Sequence, residues 1–464
     1  MADAIRFVLN DQPVEIDGLS PMTTLLDWLR ERRGLRGTKE GCAEGDCGAC
    51  TVVLERSDGR CEPINACIAL LGQIDGQAVR TVEGLRGADG GPHPVQVAMA
   101  ETDATQCGFC TPGFVMAAYA FAAGGETPDL DTIHDALAGN LCRCTGYRPI
   151  VQAMAAVAGL AIEPTARRPA RRGSASFGSF HAPRSLGELL ALRLAHPEAF
   201  LLAGATDLGL LASRSRRPPA ELIHVAHVPE LLVVRDDQES LTIGAAVSYA
   251  HAMPALVANY PALKPYLSRL GSRQIRAMGT IGGNIGTASP IGDMPPVLLA
   301  LEARLALASQ RGRRELPLEK FFVGYRKTAL APDEVIESIT LPKLWPGEAF
   351  FCDKLSKRRD QDISTVAAGY RLRVKDGTIA DVRMGFGGMA ATPKCAVHAQ
   401  QALTGQPVSA ASFEAAASAL ARDFQPIDDW RGSASYRLAA AANLLRRLYW
   451  RIADPRRVVE VEAL

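Results

Sequence analysis

The sequence predicts an α+β protein of several domains, in order a β-grasp domain, an all-helical domain, an α/β domain and a C-terminal α+β domain. Three observations predict it. Nine of the eleven cysteines lie in the first third of the chain, and eight of these fall into two groups of four. Residues 163–178 change to a proline-, arginine- and serine-rich composition, as a tether would. Beyond them, apolar strand-like runs alternate with amphipathic stretches and close on a hairpin and two long helical segments. A length of 464 residues suits two to four domains. The boundaries expected are 1–86, 87–162, the linker 163–178, 179–344 and 345–464.

Composition narrows the function classes. Lys plus Arg number 51 against 50 Asp plus Glu, so no nucleic-acid or anionic-membrane footprint is expected. No apolar run approaches a membrane span. The N-terminus, Met1-Ala2-Asp3-Ala4-Ile5-Arg6, lacks the basic-then-apolar shape of a signal peptide. An odd cysteine total without an export signal argues against a disulfide framework and for a metal protein of a reducing compartment, so a cytoplasmic location is expected.

Residues 4–17 alternate apolar and polar (Ile5, Phe7, Leu9, then Val14 and Ile16) around Asn10-Asp11, which predicts a β-hairpin. Thr23 or Thr24 caps a helix through Leu25, Leu26, Trp28 and Leu29 that ends near Gly34. Next comes Cys42-Ala-Glu-Gly-Asp-Cys47-Gly-Ala-Cys50, the C-x4-C-x2-C spacing of plant-type ferredoxins, which hold a [2Fe–2S] cluster with four thiolates. A loop wrapped around such a cluster must turn backbone N–H groups inward, and Gly41, Gly45 and Gly48 suit that. Thr51–Leu54 is then a strand leading away. The fourth ligand is Cys61 or Cys67. Cys67 is favoured, because the segment Ile64-Asn65-Ala66-Cys67 can bring it back to the loop, whereas Cys61 follows a Ser57-Asp58-Gly59-Arg60 turn.

Residues 92–160 are expected to be all-helical, with helices over Val95–Ala100, Phe114–Ala123, Asp131–Leu137 and Ile150–Leu160. The second cysteine group, Cys107-Gly-Phe-Cys110 and Cys142-Arg-Cys144, falls in the loops before helix N-termini, whose positive ends favour an anionic cluster. Structural zinc is the competing occupant of either group. The x4-x2 triplet and the one-residue gap between Cys142 and Cys144 are unusual for it.

After the linker, Ser185–Ala195 is an amphipathic helix. Phe200–Leu202 is expected as a buried strand entering the turn Ala203-Gly204-Ala205-Thr206-Asp207-Leu208. Later come Gly279-Thr280-Ile281-Gly282-Gly283-Asn284 and Ser289-Pro290-Ile291-Gly292-Asp293. These small-residue turns expose backbone N–H groups of the kind a pyrophosphate requires, though neither is a G-x-G-x-x-G fingerprint. Residues 298–308 form a helix or a strand pair. A hairpin is predicted over 366–374 and 379–386 around Asp376-Gly377, and helices over about 411–422 and 434–452.

Taken together, these motifs resemble the iron–sulfur/flavin subunit of the molybdenum hydroxylases, most closely the small subunit of the bacterial xanthine dehydrogenase branch. The strings that carry the resemblance are Glu40–Val52, Asn65-Ala66-Cys67, Gln106–Gly113, Gly139–Tyr147 and Thr280–Asp293, and the likeness extends over essentially the whole chain. It implies a plant-type ferredoxin-like first domain in which Cys42, Cys47, Cys50 and Cys67 hold the cluster nearer the flavin. It implies that Cys107, Cys110, Cys142 and Cys144 of the helical domain hold the cluster nearer the molybdenum cofactor, whose pterin Gln106 approaches. FAD is implied along Leu201, Leu202, Ala203, Gly204, Ala205, Thr206, Asp207 and Leu208, and along Thr280, Ile281, Gly282, Gly283 and Asn284. Leu270, Asp293, Ile336 and Lys354 fall at further family contact positions.

The family's molybdenum site, with its catalytic carboxylate, lies on sequence not present here, so no catalytic residue is expected in this chain. A large molybdopterin-binding partner subunit is implied, in a heterotetramer of two small and two large subunits. Clusters pass electrons singly and NAD accepts a hydride, so a flavin belongs between them. The expected flow is from hypoxanthine or xanthine oxidised on the partner, through the helical-domain cluster, the β-grasp cluster and FAD, to NAD. The run Arg358–Asp362 resembles the purine branch. The alternatives are the same role for an aldehyde, N-heterocycle or aromatic thioester hydroxylase, a stand-alone NADH:acceptor diaphorase, and a zinc scaffold. Cys61, Cys352 and Cys395 are expected to be plain thiols.

Overall fold

The computed structural model describes residues 4–87, 89–158 and 176–457; most of the expected linker, and the end of the helix expected over Ile150–Leu160, lie outside the described residues. The chain divides into two compact units. The first is Met1–Val228 with Ser248–Ala250 and Gly271–Gly279, and the second is Pro229–Val247, His251–Leu270 and Thr280–Leu464.

The first unit opens with the expected hairpin, Ile5–Leu9 against Gln12–Ile16, its turn made by Asn10 and Asp11 at φ 50° and 67°. Five strands form the sheet, in the order Gln12–Ile16, Ile5–Leu9, Ala78–Arg80, Thr51–Glu55, Cys61–Asn65. Ile5–Leu9 runs parallel to Ala78–Arg80, so the two ends of the domain meet at the sheet centre, as in a β-grasp. Alternation puts Phe7, Leu9, Val14 and Ile16 on one face, where they bury against Leu25, Leu26, Trp28 and Leu29. Phe7 meets the Trp28 ring edge-on at 5.3 Å. Thr24 caps that helix, which widens from an α-turn at Leu25–Asp27 into a π-helical turn at Trp28–Arg32.

The next segment is helical as expected: Pro94–Glu101, Thr111–Ala123, Leu130–Leu137 and Arg148–Val157. Their apolar faces share a core that includes Met99, Phe114, Phe121, Ile133, Ile150 and Met154. Val53 of the sheet joins that core. Nearby, Tyr119 donates to Glu55, and Arg80 is held by Glu55 and Asp11. A smaller sheet follows, in the order Ser176–Phe177, Phe180–His181, Leu222–His224, Phe200–Leu202. Phe200–Leu202 is its edge strand, so Phe200 is 51% exposed rather than buried as its apolar character suggested.

The second unit holds a five-stranded sheet, in the order Val234–Asp236, Ser240–Gly244, Val335–Pro342, Arg304–Ser309, Gly312–Pro317. It also holds a four-stranded sheet of Glu348–Leu355, Val366–Lys375, Thr378–Gly387 and Lys394–Cys395. The middle two of these, Val366–Lys375 and Thr378–Gly387, are the predicted hairpin, turning at Asp376 and Gly377. Residues 298–308 resolve into the end of helix Met294–Ala300 followed by the strand Arg304–Ser309. Helices Ala410–Asp423 and Ala434–Ala453 close the core over the four-stranded sheet. Among the described residues no helix is long and apolar enough to cross a membrane.

Candidate metal centres and flavin site

Of the first cysteine group, Cys42, Cys47 and Cys50 sit on the loop between the π-helical turn and the strand Thr51–Glu55, and Cys67 follows the strand Cys61–Asn65. Backbone N–H groups of Glu44, Asp46 and Cys47 point at Cys42 Sγ at 3.4, 3.4 and 3.3 Å. Cys67 approaches both Cys42 and Cys50, and Cys42 also meets Cys47. Hydrogen bonds from the Cys47 and Cys67 thiols hold Cys42 far below the ordinary thiol range, and the same contacts push Cys47 and Cys67 up. Four sulfurs this close cannot all ionise unless positive charge lies between them. A cationic iron centre supplies that charge, and the inward N–H groups suit its anionic sulfurs, so the donor set fits a [2Fe–2S] cluster. Cys61, by contrast, begins the strand Cys61–Asn65 and packs against the helical core. Burial pushes its thiol up to about 12.

In the second group, Cys107 and Cys110 precede helix Thr111–Ala123, and Cys142 and Cys144 precede helix Arg148–Val157. Cys144 and Cys107 sulfurs lie 3.5 Å apart, and Cys142 interacts with Cys110. Backbone N–H groups of Cys144 and Thr145 point at Cys142 Sγ. Cys107 and Cys144 are exposed, with Gln106 beside them. Phe109, Leu141 and Tyr147, at 48%, 39% and 37% exposure, belong to the same loops.

The two groups are joined through the backbone. The Leu141 N–H, one residue before Cys142, donates to the Cys47 carbonyl at 3.0 Å. Gly48 has φ 66°, and a Cβ there would lie 2.1 Å from the Gly139 carbonyl, so only glycine allows this approach. Asn140 Nδ2 donates to the Gly48 carbonyl at 3.0 Å.

The stretch Leu201–Leu208 belongs to the same unit. Leu202 and Ala205 are buried, Leu201, Ala203, Gly204, Thr206 and Leu208 half-buried, and Asp207 exposed. Ala205 takes φ 60°, which turns the chain out of the strand. Gly204 lies against the Met278 carbonyl, where a Cβ would come within 1.7 Å. Gly209 lies as closely on the backbone of Ile68, the residue after Cys67. Gln73 donates to the Ala203 carbonyl, and Ser213 to the carbonyl of Ala43, next to Cys42. The helix Gly209–Ser213 that continues this stretch is therefore fastened beside Cys42 and Cys67.

The remaining flavin candidates fall in the second unit. Thr280–Asn284 is not the open turn expected from its glycines. Thr280 Oγ1 accepts from Gly283 N and caps a short helix, Ile281–Gly286, whose Ile281 and Ile285 are buried. Its outward face carries Gly283 and Gly286, both exposed, so no side chain projects from the helix there. Asn284 Oδ1 accepts from Met294 N. Lys354 is buried and donates to Asp293 at 2.6 Å and to the Arg269 carbonyl, next to Leu270. Ser364 donates to the other Asp293 oxygen. Leu270 and Ile336 are buried, Ile336 beneath Gly286. Arg269, which also clamps Lys354 O, and Ser364 carry no local motif that marks them in the sequence, since their partners here lie 85 and 71 positions away.

Four family models match the chain in succession. They are a 2Fe-2S iron–sulfur cluster binding domain over residues 7–71, a [2Fe-2S] binding domain over 81–155, an FAD binding domain in molybdopterin dehydrogenase over 175–344, and a CO dehydrogenase flavoprotein C-terminal domain over 352–452. Xanthine dehydrogenase of Drosophila pseudoobscura pseudoobscura is 34% identical over 96% of this chain and 39% of its own length. The xanthine dehydrogenase/oxidase of Rattus norvegicus is 34% identical over 84% of this chain and 34% of its own length. The chain thus spans about two fifths or less of the curated relatives it matches. Among solved structures, carbon monoxide dehydrogenase from Hydrogenophaga pseudoflava superposes with a TM-score of 0.56 at 31% identity, covering 58% of this chain and 94% of that one. Quinoline 2-oxidoreductase from Pseudomonas putida 86 gives 0.55 at 25% identity, covering 60% and 97%. Two [2Fe–2S] domains followed by a flavin domain, on a fold and sequence shared with these enzymes, place the chain in the molybdenum hydroxylase family as its iron–sulfur/flavin portion.

Proposed function

We propose that this chain is the iron–sulfur/FAD small subunit of a NAD-dependent xanthine dehydrogenase of bacterial type. In this reading it takes up electrons from hypoxanthine or xanthine oxidised at the molybdopterin cofactor of a separate large subunit and delivers them to NAD. One observation carries it. The second cysteine group is wired to the first by the Leu141 N–H on the Cys47 carbonyl, and the helix Gly209–Ser213 that continues Leu201–Leu208 is fastened beside Cys42 and Cys67. Bound there, the clusters would relay single electrons and the flavin would convert them to hydride equivalents.

The chain's own residues hold and insulate that relay. Cys42, Cys47, Cys50 and Cys67 would ligate one cluster, and Cys107, Cys110, Cys142 and Cys144 the other. The N–H groups aimed at Cys42 and Cys142 would raise the cluster potentials by stabilising added negative charge. The residues proposed to bind FAD are Leu201–Leu208 in the first unit and, in the second, Thr280–Asn284, Leu270, Asp293, Ile336 and Lys354. Near Cys107 and Cys144, the apolar residues Phe109, Leu141 and Tyr147 would be covered by the large subunit, with Gln106 reaching its pterin. Two copies of each subunit would form the heterotetramer. The purine branch is favoured because the xanthine dehydrogenase relatives align with both the cysteine-bearing and the flavin parts of this chain. The solved relatives favour a second reading, the same role in a molybdenum hydroxylase for another small molecule. A cytoplasmic location fits this reading, in which eight cysteines serve as cluster ligands and none is held in a disulfide.

The test is to isolate the chain natively and analyse what accompanies it. About four iron atoms per chain, one FAD, a large molybdenum-containing partner and xanthine-dependent NAD reduction are expected. Turnover of an aldehyde or heterocycle instead of a purine would move the chain to the second reading. Iron and FAD with no partner would leave a diaphorase, and zinc in place of iron would overturn the proposal.

A further inference from the structure

Outside the cysteine groups, two imidazoles and one carboxylate converge in the first unit. His181 ends the strand Phe180–His181, and Glu221 immediately precedes the neighbouring strand Leu222–His224. His196 caps the C-terminus of helix Leu186–Ala195. Both rings aim at the same oxygen: His181 Nε2 and His196 Nδ1 each lie 2.9 Å from Glu221 Oε1. The rings themselves are 4.6 Å apart and tilted by 33°. All three donor atoms fall within 4.8 Å of one another, and each residue is partly accessible.

We propose that His181, His196 and Glu221 form a binding site for a divalent transition-metal cation of the zinc class, independent of the iron and flavin centres. Two neutral imidazoles and one carboxylate give the site a charge of about −1, which suits a dication. Two nitrogen ligands select zinc, copper or nickel over the hard cations magnesium and calcium, which take oxygen. Around a tetrahedral zinc with bonds near 2.0–2.1 Å, donor atoms stand roughly 3.4 Å apart. The two 2.9 Å contacts must open by only a few tenths of an ångström to admit it. Three protein ligands leave a fourth position for water.

The site joins three elements, the strands Phe180–His181 and Leu222–His224 and the helix Leu186–Ala195. Phe180–His181 pairs with Leu222–His224 over two residues. The Phe200 N–H donates to the Glu221 carbonyl and so ties the start of the edge strand to the same residue. A cation held there would cross-link the sheet from which the Leu201–Leu208 stretch emerges. Binding to the folded form alone raises stability by mass action.

The experiment uses the chain as isolated, with its iron and flavin retained. Zinc is titrated by equilibrium dialysis and the bound metal examined by zinc K-edge absorption. The proposal expects one saturable zinc per chain, a shell of nitrogen and oxygen with imidazole scattering, and a higher melting midpoint. His196→Ala, at a partly exposed position, is expected to weaken binding at least tenfold and abolish the zinc-induced shift while iron and flavin content stay unchanged. Glu221→Gln is expected to do the same. The proposal is overturned by the absence of a saturable site, by unchanged affinity in His196→Ala, or by sulfur in the zinc shell, which would place the metal on the cysteines.

Discussion

Cys61 and Cys67 differ by six positions, yet their surroundings give them opposite roles. Cys67 lies among the sulfurs of Cys42 and Cys50, while Cys61 packs against the helical core. Cys67→Ser is therefore expected to lower iron from about four to about two atoms per chain, with loss of one of two reduced-cluster signals in electron paramagnetic resonance. Cys61→Ser should leave both signals; a signal lost there instead would reverse the assignment. His224 offers a second test. Its ring is fully buried and bonds the Ala203 carbonyl that Gln73 also reaches, and burial pushes its pKa down to about 4. The unfolded chain protonates near 6.5. Above that pH both states are neutral and the stability is complete. As pH falls from 6.5 towards 4 the unfolded state alone takes up the proton, so stability drops by roughly 1.4 kcal/mol per unit, about 3 kcal/mol in all. His224→Gln keeps an amide donor without titrating. Its melting midpoint should fall less than the wild type's between pH 7 and pH 5.5, and equal falls would show that His224 is not the group responsible.

At the scale of elements, the helix Arg273–Met278 shows where sequence reading stops. Its residues lie within the expected 179–344 domain, yet they belong to the unit that holds the cysteines. Arg273 bonds Glu126 and Asp135, Arg276 bonds Asp135 at 2.5 Å, and Gln274 bonds Asn140 beside the second cysteine group. No local pattern announces this, because each partner lies more than 130 positions away. The cysteine loops were legible because their ligand spacings are local, and the hairpins because period-two alternation and Asn-Asp or Asp-Gly turns are local too. The strand Ala78–Arg80 was not, since three residues carry no periodicity and their pairing with Val8 and Leu9 crosses the domain. The same limit hid the His181, His196 and Glu221 cluster, drawn from three separated elements. Asp135→Asn should test the helix. It leaves two largely buried guanidiniums without their shared carboxylate, at a cost of about 2–3 kcal/mol. A melting midpoint several degrees lower is expected, with flavin lost before iron on mild heating. An unchanged midpoint would mean that the ion pairs contribute little beyond packing.

For the molecule as a whole, the proposed ordering of centres along the first unit would give electron transfer a direction that can be measured. The exposed group of Cys107 and Cys144 stands at one end, the Cys42–Cys67 group follows across the Leu141–Cys47 hydrogen bond, and Leu201–Leu208 stands beside the latter. If that series is a relay, the chain separated from any large subunit should still work from its flavin end. NADH added without oxygen is expected to bleach the flavin and then reduce both clusters. Xanthine added to the same sample should reduce nothing, because the proposed function assigns purine oxidation to the large subunit. Restoring the large subunit should let xanthine reduce all the centres, and NAD should reoxidise them. Leu141→Pro would remove the N–H that bridges the groups while leaving all eight cysteines in place. With both clusters still assembled by iron count, NADH should then reduce the first cluster at its normal rate and the second more slowly. Equal slowing at both clusters would point to damage at the flavin, and unchanged rates at both would show that electrons cross elsewhere than at the Leu141–Cys47 contact.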